Sequence, residues 1–180
     1  MTVDPSIRSE TAADDPGGDR RARAGLSLRP AALADATLLW QWRNDDHTRA
    51  MSRHPGLIPW ETHVAWLVKR LADCDAMLLI GLQGQQSISV VRFERHADGA
   101  AEVSITIAAD FRGRGLGKPL LQCGCEHATR AGFARVFDAE IGTDNLASRK
   151  VFEGSGFRIV SSDGRWAKYR RPHLADMDVR

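Results

Sequence analysis

Arg112-Gly113-Arg114-Gly115-Leu116-Gly117 is the stretch of this chain whose residue types and spacing point most directly to chemistry. Three glycines in five positions let the backbone turn through conformations that a side chain would forbid, and they leave N–H groups uncovered where a helix begins. Arg112 and Arg114 add positive charge where those groups and the helix dipole already favour an anion, so a phosphate or pyrophosphate is the natural guest. A glycine turn that is merely a tight connector has the same composition. Two common phosphate binders are excluded by spacing. Gly117-Lys118 is followed by Pro119, not by the Ser or Thr of a Walker A loop, and no acidic ribose reader follows in a second βαβ unit. An imidazole able to move a proton stands at His63.

These groups act only where the chain positions them. Residues 102–107 alternate polar and apolar with β-branched side chains, a strand signature. Over residues 118–131, Leu120, Leu121, Cys125, Ala128 and Ala131 recur at three- and four-residue spacing, which predicts a helix with one buried face. The glycine turn therefore joins a strand to a helix. Upstream, residues 76–82 are apolar on both faces and predict a central strand. Turns at Gln83-Gly84-Gln85 and Ala97-Asp98-Gly99 bracket another at 87–93, completing an antiparallel meander. Residues 136–141 predict a strand parallel to the one before the turn, because a helix crosses over between them. Asn145 caps a short helix to about Glu153, and residues 158–161 and 166–170 form a final hairpin.

The N-terminal half predicts a strand at 26–29 and a helix at 33–43 with Leu33, Ala36, Leu39, Trp40 and Arg43 on one stripe. A loop with a short helical turn follows over 47–59. A second helix, 60–71, carries Val64, Leu67, Val68 and Leu71. Trp42, Arg43 and Asn44 either complete the core and a charged helix end or line the acceptor side of a cleft. His63 is either a substrate or base residue or a histidine at the edge of the core.

Residues 1–24 hold almost nothing large to bury and predict a disordered tail, and 173–180 a frayed one, around one domain at 25–172. A net charge of +2 gives no global electrostatic case for nucleic acid or an anionic membrane. No apolar run approaches the roughly 20 residues that span a bilayer, so a cytoplasmic protein is expected. The three cysteines, Cys74, Cys123 and Cys125, have no partners at zinc-site spacing and read as reduced core or surface residues, with no metal.

Ile105-Thr106-Ile107-Ala108-Ala109-Asp110-Phe111-Arg112-Gly113-Arg114-Gly115-Leu116-Gly117 resembles motif A of the GNAT family of N-acetyltransferases. Asn145-Leu146-Ala147-Ser148-Arg149-Lys150-Val151-Phe152-Glu153-Gly154-Ser155-Gly156-Phe157, about 28 residues on, resembles that family's next motif. The resemblance implies an α/β (α+β) GNAT fold: a mixed, mostly antiparallel, twisted sheet of about seven strands with about four helices. It also implies acetyl-CoA as cosubstrate, its pantetheine lying along the strand edge at Ile105 and Ile107. The pyrophosphate would sit over Arg112, Gly113, Arg114, Gly115, Leu116, Gly117 and Lys118, and Asn145, Ser148 and Phe152 would complete the site. The N–H near Ile107 would stabilise the thioester oxyanion. Glu102 is the first candidate base, acting through water, or else a solvent-facing strand residue; Glu140 is the second. Phe152 stands where the family often has a tyrosine and has no proton to give, which leaves Ser148 or water as the acid. Around Trp42-Arg43-Asn44-Asp45 and Ile58-Pro59-Trp60-Glu61-Thr62-His63 the chain resembles acetyltransferases of amino-sugar nucleotides of the pseudaminic acid type. It resembles less closely those of ribosomal protein N-termini. A small-molecule amine is thus the expected partner, with a homodimer open to it; a non-catalytic CoA-binding module is the competing reading.

Overall fold

A computed structural model describes residues 25–172, so the expectations for 1–24 and 173–180 lie outside the described residues. The chain opens with β1 (Leu26–Pro30), followed by α1 (Ala36–Asn44), α2 (Asp46–Ala50) and α3 (Trp60–Leu71). A meander of β2 (Ala76–Gln83), β3 (Gln86–Arg95) and β4 (Ala101–Ile107) leads through the glycine turn into α4 (Gly117–Arg130). β5 (Phe137–Gly142), α5 (Leu146–Gly154), β6 (Arg158–Ser162) and β7 (Trp166–Arg171) complete the domain. The strands form one sheet in the order β1-β2-β3-β4-β5-β7-β6, antiparallel everywhere except between β4 and β5. The described residues thus hold the seven expected strands and five α-helices; the helix beyond the expected four is the short α2, where a helical turn was predicted.

The sheet separates two apolar layers, as the two-residue period of its strands requires. Leu78, Ile80 and Val90 face α1 and α3 and pack with Ala36, Leu39, Trp42 and Leu67. Leu79, Val91, Phe93 and Val103 point the other way, onto Leu121, Cys125 and Ala128 of α4 and Phe152 of α5. Burial pushes the Cys125 thiol up to about 12, so it behaves as a small apolar residue.

Two helical stripes are phased differently from the sequence pattern. The chain enters α1 through a 3₁₀ turn, Leu33–Asp35, whose Asp35 carboxylate accepts from the Ala32 N–H at 2.8 Å and pairs with both terminal nitrogens of Arg29. A 3₁₀ turn has three residues per turn, so it offsets the helix that follows. Leu33 is left 53% exposed, and Trp42, not Trp40, enters the core at 8%. Trp40 instead donates Nε1–H to the Ile58 carbonyl at 2.7 Å. On α3 the buried pair is His63 and Leu67, while Val68 and Leu71 face solvent.

Candidate active site

β4 and β5 are paired only at Ala101↔Phe137 and Glu102↔Asp138, and then diverge. The N–H of Ala101 donates to Val136 on the β5 side, and that of Ala108 donates to Ile88 on the β3 side. Backbone groups alternate between the two edges of a strand, so Ile105 and Ile107 turn their polar groups toward the gap. Arg112 Nε donates to the Ile107 carbonyl at 3.1 Å. The Ile107 N–H remains directed at the opening. An extended polar ligand laid in the gap would satisfy this edge as a further strand does.

The glycine turn follows directly. Gly113 and Gly115 both hold φ at +73°, a left-handed conformation that only glycine adopts without strain, and a Cβ on either would enter open space. Gly117, the first residue of α4, serves a different purpose: a Cβ there would come within 2.7 Å of Val151 Cγ2, so it permits the close approach of α4 and α5. Gly117 and Lys118 present first-turn N–H groups, while Pro119 in the same turn has none. This open loop at a helix start suits a pyrophosphate.

The charged side chains divide differently from the sequence-based expectation. Arg112 NH2 donates to Asp45 Oδ1 at 2.6 Å and to Thr48 Oγ1 at 3.0 Å, so its guanidinium braces the glycine turn against the start of α2. Arg114 lies over the Phe111 ring at 4.9 Å, at the exposed rim. Asn145 Oδ1 accepts from the Ser148 N–H at 3.1 Å and caps α5. Phe152 is turned into the core, edge-on to Phe157 with ring centroids 4.9 Å apart. Ser148, one turn earlier, is half-buried. The single tyrosine, Tyr169, is fully buried; its hydroxyl donates to Glu153 at 3.1 Å and accepts from Arg149 at 3.2 Å.

On the opposite face, α1, α3 and the sheet enclose a cavity of about 210 Å³. Its apolar wall is Leu39, Trp42, Ile58, Trp66 and Val90, and its polar wall is Arg43, Thr62, His63, Arg92 and Thr106. Thr106 immediately precedes Ile107, so the cavity adjoins the end of the gap. Three of the four expected acceptor residues, Trp42, Arg43 and His63, line it. Asn44 does not: its amide donates to the Ile58 carbonyl at 2.9 Å and accepts from the Ile58 N–H at 2.8 Å, which fixes the loop. Sequence reading missed Arg92, Trp66 and Thr106. The signal for Arg92 was a charge set between the apolar Val90-Val91 and Phe93 of a strand.

His63 is 3% exposed, and its Nε2 lies 3.0 Å from the Ala36 carbonyl. That oxygen can only accept, so Nε2 carries the proton. Burial depresses the His63 pKa, outweighing the Ala36 contact, and leaves the ring neutral. Glu102 stands where β4 and β5 part, on the same sheet face as the cavity, and is exposed at the surface. Desolvation, then the nearby Glu140, raises its pKa, which favours proton uptake by this carboxylate. Glu140 is ion-paired with Arg53, whose guanidinium also lies 4.8 Å over the Trp166 ring. That pairing leaves Glu140 poorly suited to act as a base.

The model of the GNAT acetyltransferase domain matches residues 26–158. The chain belongs to the GNAT acetyltransferase family. Among curated proteins, a mycothiol acetyltransferase of Corynebacterium glutamicum is 27% identical over 161 residues, 88% of this chain and 53% of that protein. The chain spans about half the length of the curated relatives it matches. Among solved structures, RimL, an alpha-N-protein acetyltransferase of a ribosomal protein in complex with coenzyme A, aligns with a TM-score of 0.74 and 20% identity. That alignment covers 84% of this chain and 96% of RimL. The aminoglycoside acetyltransferase AAC(6')-Ib, with acetyl-CoA and paromomycin, aligns at 0.72 and 17%, covering 87% of this chain and 98% of that one. These likenesses establish the fold: a seven-stranded GNAT sheet. No helix among the described residues is long and apolar enough to cross a membrane.

Proposed function

We propose that this GNAT domain is an acetyl-CoA-dependent N-acetyltransferase acting on the primary amine of a small molecule, an amino-sugar nucleotide being the class that its N-terminal half resembles. The observation that carries the reading is the open β4 edge at Ile105 and Ile107, which runs from the cavity to the glycine turn. Acetyl-CoA supplies the reactive thioester carbon and departs as the thiol. The first-turn N–H groups of α4 and the left-handed turn at Gly113 and Gly115 hold its pyrophosphate. The Ile107 N–H polarises the thioester oxygen.

The amine must attack as the neutral form. Glu102 takes its proton through water, since five residues of strand separate it from Ile107 by roughly 16 Å. The new C–N bond forms as C–S breaks, and the sulfur is protonated by water or Ser148, because Phe152 carries no proton and is buried. Of a nucleotide-sugar acceptor, only the amine-bearing end fits a cavity of about 210 Å³; the nucleotide would extend beyond Thr62.

Incubation with acetyl-CoA and a panel of amines, following free thiol, tests the proposal. The panel includes an amino-sugar nucleotide and a peptide with a free N-terminus. Saturable thiol release with one amine class is the expected result. Saturable acetyl-CoA binding without turnover on any amine would instead support the non-catalytic module.

A further inference from the structure

The acceptor cavity holds two guanidinium groups that make no ion pair among the described residues. Arg43 reaches it from the end of α1; NH2 donates to Ser52 Oγ at 3.3 Å and to the His54 carbonyl at 2.8 Å, while NH1 is buried without any hydrogen-bond partner. Arg92 reaches it from the middle of β3, where Nε donates to Ser104 Oγ at 3.1 Å. A buried, unsatisfied guanidinium N–H is costly, and native proteins retain few of them.

The two charges also oppose each other. Burial depresses the Arg92 pKa first and the proximity of Arg43 second, yet arginine stays protonated in proteins. The carboxylates on this sheet face, Glu102 and Glu94, offset only part of the conflict. Glu94 pairs with Arg70 at 2.8 Å, and Glu102 faces Glu94 in the register, two residue pairs from Arg92↔Ser104. Elsewhere the domain matches guanidinium to carboxylate closely, as in Arg29 with Asp35 and Arg170 with Asp138. Arg43 and Arg92, which have no such partner, both line the acceptor cavity.

We infer that Arg43 and Arg92 form an oxyanion subsite, so that the acceptor is an amine that also carries a carboxylate or a phosphate on a compact, partly apolar body. An oxyanion between the two guanidiniums would satisfy Arg43 NH1 and neutralise both charges. Leu39, Trp42 and Trp66 would cover the body of the molecule. With the anion held there, the amine points past Thr106 to Ile107. This inference rests on the acetyltransferase reading and, among its small-molecule amines, favours a compact anionic acceptor over a nucleotide sugar whose phosphates stay outside the cavity. A bare polyamine would bring positive charge to two arginines and should be rejected.

The test uses matched acceptors that differ only in the anion: phenylalanine against its amide, and an aminoalkyl phosphate against the corresponding amino alcohol. Thiol release from acetyl-CoA should favour one or both anionic members by about 10-fold or more in kcat/KM, and which pair responds distinguishes carboxylate from phosphate. Arg92→Gln, which keeps a donor for Ser104, should bring that ratio close to one while leaving acetyl-CoA affinity unchanged and the melting temperature no lower. Equal use of the neutral members by the wild type would overturn the subsite and leave the acetyltransferase reading intact. If no amine is turned over, calorimetric titration with benzoate and with inorganic phosphate decides. Binding lost in Arg92→Gln supports the subsite without catalysis, and no binding of either anion overturns it.

Discussion

At Glu102 a raised pKa and a position at the fork of β4 and β5 combine, and the consequences for catalysis and stability have opposite signs. Glu102→Gln should lower turnover by about 100-fold, with little change in acetyl-CoA affinity and partial recovery at high pH, where the amine deprotonates itself. The stability argument runs the other way. A carboxylate whose folded pKa lies above its unfolded value is held ionised at a cost above that pKa, so the glutamine variant should melt no lower than the wild type at pH 7. Unaltered turnover across pH would remove Glu102 as the base. His63 is the converse case. Its folded pKa lies below the ordinary 6.5, so the stability it contributes is complete above 6.5 and is lost as pH falls from there through the folded pKa. Denaturant melts at pH 7.5 and pH 5 should therefore show a smaller acid loss in His63→Gln than in the wild type.

Between elements, the cofactor side and the acceptor side are joined by contacts that local sequence patterns do not reveal. Gly117→Ala should cost about 1–3 kcal/mol, because Val151 is stiff and sits where the new methyl must go; adding Val151→Ala should restore most of that loss in chemical denaturation. The strands, the glycine turn and the α3 span were legible because each is written in a local period or in adjacent glycines. The phase of α1 was not, since the 3₁₀ turn that offsets it depends on Arg29 meeting Asp35. Nor was the use of Arg112, whose partners Asp45 and Thr48 lie more than sixty residues earlier in the chain. The acceptor cavity draws on α1, α3, β3 and β4, so His63 and Trp42 could be proposed for it one by one. Arg92 emerges only when the strands are assembled.

For the whole molecule, the proposed reading puts the two reactants on different faces of the sheet. α4 and the glycine turn stand on one face, the Arg43 and Arg92 cavity on the other, and the gap between β4 and β5 is the passage between them. A ligand that completes this sheet should stabilise the whole domain, and acetyl-CoA at 100 times its dissociation constant should add about 2.7 kcal/mol, seen as a higher melting temperature. Gly115→Glu, which puts a carboxylate into the anion cradle, should abolish that gain. The most direct test of the central claim, that the open β4 edge and the glycine turn hold acetyl-CoA, is residue-resolved amide hydrogen exchange with and without acetyl-CoA. The account predicts slowed exchange at Ile105, Ile107 and the amides of residues 113–118. Protection absent from these amides at saturating acetyl-CoA, or confined to other parts of the domain, would contradict it.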